Sequence, residues 1–233
     1  MTPSATQIGD TYPGSGSGTH TVSISWAADV YLVFGGMAHR NTSDFTWTFD
    51  AGTSGLTWLL IESQAHSTFS IGHGRGEMRI ARTTAAGSGT VGFSTSATCQ
   101  QRGIDVWEVS GADLTVATLA DVIVQSALAQ GVGLPSGSTL TCPLDQNTDA
   151  DNIWLINSGS IISDYNATAP FDFVDSQYSG SGGEHEGGWG VGDVFDTYDM
   201  DPVGGAGGPW SIFVELLSPQ DETDEGWGIL LRN

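Results

Sequence analysis

The stretch "SGSGGEHEGGWGVGDVFDTYDMDP", residues 179–202, sets His185 between Glu184 and Glu186 and then places Asp193, Asp196, Asp199 and Asp201 close behind. Imidazole and carboxylate are ligand types for a transition metal. Neighbouring residues of an extended chain point to opposite sides, however, so one such tripeptide does not chelate. The four aspartates are hard oxygen donors that a loop folds around calcium, yet their spacing matches no established calcium loop. Gly182, Gly183, Gly187 and Gly188 flank the histidine, so the whole stretch reads as a Gly-rich, solvated connection between strands, with calcium as the minority alternative.

A second calcium candidate is "DQNTDADN" at 145–152, where Asp145, Asn147, Asp149 and Asp151 alternate as acidic calcium ligands do. It departs from the EF-hand pattern, with Ala150 at the sixth position and Ile156 at the twelfth. A solvated turn whose Asx side chains cap their own backbone is the more economical reading. "DETDEG" at 221–226 reads as a solvated turn. Aromatic residues offer another chemistry, since an exposed indole stacks on sugars. Trp189 and Trp227, each between glycines, are the expected exposed pair, whereas Trp26, Trp47, Trp58, Trp107, Trp154 and Trp210 fall in apolar strand patterns and are expected in the core.

Catalysis finds little footing. A glycosidase needs two carboxylates facing each other across a cleft. Glu62, Glu77, Glu108 and Glu215 all fall in expected strands, where glutamates commonly line solvated faces. "GSGSG" at 14–18 is no nucleophile elbow, because no strand precedes it. "GHGRGE" at 72–77 leads into a strand and so lacks the helix N-terminus of a phosphate loop. The sequence therefore designates no catalytic residue, no cofactor site and no metal site, and is read as non-enzymatic.

The elements that carry these residues are short runs of β-branched and aromatic residues parted by Gly, Ser, Asn and Asp. "HTVSISW" at 20–26 alternates Val22, Ile24 and Trp26 against Thr21, Ser23 and Ser25. "VYLVFGGMAH" at 30–39 is continuously apolar and suits an interior strand. Further strands are expected at 45–50, 56–66, 68–72, 76–84, 89–96, 102–111, 138–144, 151–159, 169–178, 189–195, 209–217 and 226–233. In 102–111, the order of Ile104, Val106, Glu108 and Val109 suggests a bulge or a change of face. The segment 112–131 is open to helix or strand, and strand is preferred. Turns every 10–14 residues favour antiparallel hairpins over βαβ units. The expected fold is all-β: a two-sheet antiparallel sandwich, jelly-roll-like, with long Gly/Asp-rich loops. Residues 1–18 are expected as an extended Gly/Ser-rich arm that docks on neighbouring subunits, and residues 19–233 as a single domain.

The 233 residues suffice for a substantial core, and at 39% hydrophobic and 14% charged they do not describe a disordered polyelectrolyte. Six arginines and no lysine stand against 27 acidic residues, giving a net charge of -21 that repels phosphate backbones and anionic lipid. Nucleic acid and membrane are thus not expected as partners. No window of about 20 residues is continuously apolar. The first 20 residues lack a basic and apolar leader, so synthesis in the cytoplasm is expected. Cys99 and Cys142 are expected as free, partly buried thiols rather than a disulfide. The sequons at Asn41 and Asn166 carry little weight without a secretory signal.

From "THTVSISWAADVYLVFGG" through "EMRIARTTAAGSGTVGFSTSATCQQRGIDVWEVSGAD", and on through "VIVQSALAQGVG", "STLTCPL" and "PWSIFVELLSP", the chain resembles a jelly-roll type found in tailed bacteriophages and prophages, over roughly residues 19–217. The resemblance implies a structural component on the virion exterior, a capsid decoration or tail-associated protein. Implied partners are other virion proteins, further copies of the chain and host surface glycans. The alternative is a carbohydrate-binding, lectin-like adhesion module, with calcium as a helper.

Overall fold

The computed structural model describes residues 3–12, 14–40, 43–69, 72–130, 151–160, 173–179, 183–191 and 210–219. Their regular structure is entirely β: β1 (Ser4–Thr11), β2 (Gly16–Trp26), β3 (Tyr31–Arg40), β4 (Trp47–Asp50), β5 (Leu59–Phe69), β6 (Gly72–Arg82), β7 (Gly87–Cys99), β8 (Gln101–Ser110), β9 (Ile123–Gln130), β10 (Ile153–Ser160), β11 (Phe173–Ser179), β12 (Gly183–Val191) and β13 (Trp210–Leu216). The strands form three antiparallel sheets: a small sheet β2-β7-β4, a central sheet β1-β8-β3-β6-β5 and a C-terminal sheet β11-β12-β10-β13-β9. In the first eight strands the chain crosses repeatedly between the small and central sheets. The resulting orders β1-β8-β3-β6 and β2-β7-β4 are those of a jelly roll whose fifth strand has moved onto the central sheet beside β6.

The all-β sandwich is as the sequence reads, with a third sheet added to the two expected. The reason lies in which faces the strands bury. In β2, His20, Val22, Ile24 and Trp26 are buried while Thr21, Ser23 and Ser25 are exposed, the alternation of a strand with one wet face. In β3 every residue from Tyr31 to His39 is buried. Leu32, Phe34 and Ala38 join Val22, Ile24, Val91 and Phe93 of the small sheet in one core. Tyr31, Val33 and Met37 join Ile153, Leu155, Ile212 and Val214 of the C-terminal sheet in a second. Strand β3, at the centre of its sheet, is therefore dry on both faces, which is why it reads as an unbroken apolar run.

The same double burial explains β8. Its pairing with β3 runs without a register shift, so the expected bulge is absent. Ile104 and Val106 face one core, and Trp107 and Val109 the other. The bulge lies instead in β1, between Gln7 and Gly9.

Two other expectations change, and the strand preferred within 112–131 is found. Residues 4–11 of the expected arm are strand β1, paired along its length with β8, and the boundary at residue 18 falls inside β2. Gly14 adopts a positive φ of 72° in the connection between β1 and β2, and Gly18 one of 76° inside β2, where its register against β7 shifts. Residues 183–191 of the expected solvated connection are strand β12, paired with both β10 and β11. Within 112–131, Ile123–Gln130 is strand β9, paired with β13. The strands expected at 138–144 and 226–233 lie outside the described residues.

Candidate functional site

Two polar sites stand out against this apolar framework. One is buried between the central and C-terminal sheets. His185 of β12 is wholly buried, and its Nδ1 lies 3.3 Å from Oδ2 of Asp105 on β8, an ion pair whenever the imidazole is protonated. Its Nε2 lies 2.7 Å from Oδ1 of Asn157 on β10, and Asn157 Nδ2 donates to the Glu77 carbonyl of β6 at 3.4 Å. Gln7 of β1 donates through Nε2 to Asp105 Oδ1 at 3.0 Å. Tyr12 lies parallel to the imidazole, with ring centroids 6.3 Å apart.

Five strands from two sheets thus converge on one polar node inside a hydrophobic layer. Buried polar groups are tolerated in such a place only when their partners are supplied. The glycines beside it create the room: a Cβ on Gly103 would lie 2.6 Å from His185 Nδ1, and one on Gly187 would lie 2.7 Å from Asp105 Oδ2.

The second site is open to solvent. Because β5 pairs with β6 and leaves β4 on the small sheet, a groove of about 580 Å³ opens between β4 and β5. Asp44, Phe45 and Trp47 line one side, Ser63 and Gln64 another, and Arg75 and Glu77 of β6 the floor. Arg75 Nη2 donates to Asp44 Oδ1 at 2.7 Å, with His73 Nδ1 3.9 Å from the same oxygen. The hydrogen bond from Arg75, followed by the one from the Phe45 backbone N–H, holds the Asp44 carboxyl below the usual carboxylate range. Arg79 Nε donates to Glu77 Oε2 at 2.7 Å, and its guanidinium sits 4.3 Å from the centre of the Phe49 ring.

Trp47 stacks on Phe93 with centroids 3.7 Å apart. Its indole Nε1 and the Nε of Arg75 are both buried without a hydrogen-bond partner among the described residues. The groove is therefore lined by two paired carboxylates, one guanidinium group and an aromatic edge, with two unpartnered N–H groups buried in its wall.

Beneath the groove, on the small-sheet side of the core, lie buried titratable groups. His20 and His39 are 8% and 2% exposed, and each has a pKa lowered to about 4. Burial is the main cause for both, aided by the charge of Arg102 at His20 and of His73 at His39. Burial also pushes the Cys99 thiol up and the Arg102 guanidinium down.

The structure disperses the candidates singled out from sequence. Of Asp145, Asn147, Asp149 and Asp151, only the exposed Asp151 belongs to the described residues; Asp193, Asp196, Asp199, Asp201 and Trp227 lie outside them. Trp189 is half-buried and packs against the core between the central and C-terminal sheets. Among the expected core tryptophans, Trp26, Trp107, Trp154 and Trp210 are buried, while Trp47 and Trp58 pack partly buried at the edge of the other core.

The four glutamates sit on four different strands. Glu77 is taken by Arg79, Glu108 accepts the Ala27 backbone N–H at 2.7 Å, and the wholly buried Glu215 accepts from Asn152 at 2.7 Å and from Gln125 at 2.5 Å. Glu62 accepts the N–H of its neighbour Ser63. Among the described residues, no three metal-ligating side chains come together and no helix is long and apolar enough to cross a membrane. Asp44, Arg75, Asp105 and Asn157 were not legible as site residues, since each carries its chemistry through a partner far away in sequence.

Comparison of the chain with protein-family models, with curated proteins and with solved structures yields no match.

Proposed function

We propose that this chain is a non-enzymatic structural protein of a virion, a capsid decoration or tail-associated component on the particle exterior. The observation that carries this reading is the strand order β1-β8-β3-β6 over β2-β7-β4, a jelly roll, which is an architecture of viral capsid domains among others. Fold analogy is the warrant here, joined to the sequence resemblance. The charge supports it: a net -21 suits an exterior position and opposes contact with packaged nucleic acid. The partners are other virion proteins and further copies of the chain.

Size-exclusion chromatography with light scattering on the purified full-length chain tests this. A discrete closed oligomer is the expected outcome, because virion exteriors are assembled from symmetric contacts. A strict monomer that also fails to adhere to particles of a tailed phage carrying this sequence would sink the reading. Deleting residues 1–18 is not a useful test of assembly, since it removes β1 and the Gln7–Asp105 hydrogen bond from the fold itself.

A further inference from the structure

We propose that the corner joining β1 to β2 is an acid-released clasp over Cys99: when His20 is protonated beside Arg102, residues 14–19 lift away and expose the thiol, while the three sheets stay folded. This device is independent of the virion reading and belongs to the chain itself.

The corner is held by few contacts. Residues 14–19 carry no buried side chain, and no described residue between Tyr12 and Val22 belongs to either apolar core. Gly14 and Gly18 both have positive φ, and the register of β2 against β7 shifts between Gly16 and Gly18. Segments with so little buried apolar surface open at low free energy. Two side chains fasten this one. His20 is buried with its ring edge-on to Phe93, centroids 5.5 Å apart, and its hydrogen bond with the Thr11 backbone ties β2 to the end of β1. Arg102 of β8 lies so close over Gly16 that a Cβ there would run into the guanidinium. Beneath them sits Cys99, opposite Gly16 in register and fully buried.

The charge around the fastening is one-sided. His20 Nε2 and Arg102 Nε are both buried without a hydrogen-bond partner, and Arg102 makes no salt bridge among the described residues. From β3 the charge of Arg40 reaches Cys99. From β6 Arg75 stands in one row with Ala38 and Arg102, but its carboxylate, Asp44, is already engaged by it. On β1 the residue before Thr11, Asp10, is exposed. The influences on His20 are burial first, then the Arg102 charge, against the Thr11 hydrogen bond, and no carboxylate is among them.

At neutral pH the clasp therefore buries one uncompensated cation. Protonation of His20 adds a second beside it, and burial of a charge without a partner is costly. Lifting the corner returns both groups to water. The sign follows from linkage: His20 titrates at about 4 in the closed form and at its ordinary 6.5 once exposed, so the closed form is favoured fully above pH 6.5 and loses that advantage as pH falls toward 4.

The experiment measures Cys99 modification by 4,4′-dithiodipyridine in full-length protein carrying Cys142→Ser, between pH 7 and pH 4.5. Each rate is divided by that of the same chain unfolded in urea at the same pH, which removes the change in thiolate fraction. The ratio is expected to rise about fiftyfold over this range while near-UV circular dichroism stays native, and hydrogen exchange is expected to quicken at residues 14–20 but not in β10 or β13. His20→Gln is expected to hold the rise to less than about threefold, and Arg102→Met to reduce it by removing the neighbouring charge. Both variants and the exchange map are measured, so that misfolding of one variant leaves the others to decide. A flat ratio in the parent protein would overturn the proposal. So would a rise that His20→Gln leaves intact, or one that appears only where near-UV dichroism is lost, which is global acid unfolding and not a clasp.

Discussion

Asp105 and His185 are joined across 80 residues of sequence and across two sheets, with Oδ2 and Nδ1 3.3 Å apart and both side chains almost wholly buried. The contact ties β12 of the C-terminal sheet to β8 of the jelly roll at a point where the surrounding layer is apolar. Removing one partner leaves the other buried with its desolvation uncompensated, which costs about 3 kcal/mol or more. Asp105→Ala and His185→Ala are each expected to destabilise the protein by this order. The double variant is expected to fall short of their sum by about 1 kcal/mol or more, because the second deletion removes a group already stranded by the first. Urea denaturation of the four proteins measures the coupling, and strict additivity would show that the two side chains are held by their other neighbours.

How much of this was legible in the sequence depends on what each residue's neighbours are. The alternation in β2 translates directly into one buried and one exposed face, since both are set by period two. The apolar run of β3 announces burial, but does not say that a third sheet provides it, because the strands β9 to β13 that cover its second face come later in the chain. His185 misleads for a physical reason. Its flanking glycines look like turn residues, yet at Gly187 the missing side chain makes room for Asp105 and Trp107, so strand β12 can pass close against β8. Glycine for close approach and glycine for turning are written with the same letter. The groove was hidden likewise, since Asp44 and Arg75 acquire their meaning only when the segment before β4 folds against β6.

Stability is expected to fall with acid before most carboxylates titrate. His20 and His39 have folded-state pKa values lowered to about 4 from 6.5, so the unfolded chain binds more protons between these limits. Their contribution is complete above pH 6.5 and is lost as pH falls toward 4. With shifts of this size each histidine contributes about 3 kcal/mol to the loss. Chemical denaturation at intervals between pH 7.5 and pH 4 should show the decline, and His39→Gln should flatten it by roughly half. An unchanged slope in that variant would assign the decline to other groups.

Two glycines on the jelly roll should respond differently to alanine. A Cβ at Gly92 in β7 would run into the backbone of β2, meeting the His20 carbonyl oxygen and lying 2.8 Å from Thr21 Cα. Backbone on a paired strand has no easy retreat, so Gly92→Ala is expected to cost about 3 kcal/mol, the upper range of overpacking. Gly14 meets nothing within 4 Å, and its only demand is a positive φ of 72°. Gly14→Ala is therefore expected to cost about 1 kcal/mol, the strain of a left-handed alanine. Equal losses in thermal denaturation would refute the distinction between steric and conformational need.

Cys99 offers a probe of the small-sheet core. Its thiol is fully buried, donates to the Ala97 carbonyl at 3.5 Å, and has its pKa pushed up chiefly by burial. Both access and thiolate fraction are thereby reduced, and the thiolate is the reacting species. In a Cys142→Ser background, the native protein at pH 8 is expected to resist a disulfide-exchange reagent and to react fully once unfolded in urea. The reaction rate at low urea then reports how often the core between β7 and β8 opens, since modification must wait for that opening. Asp105→Ala should leave this rate closer to wild type than it leaves global stability, because Asp105 anchors the opposite face of the central sheet. Prompt modification of the native Cys142→Ser protein would mean that this face of the jelly roll opens far more readily than the complete burial of Cys99 implies.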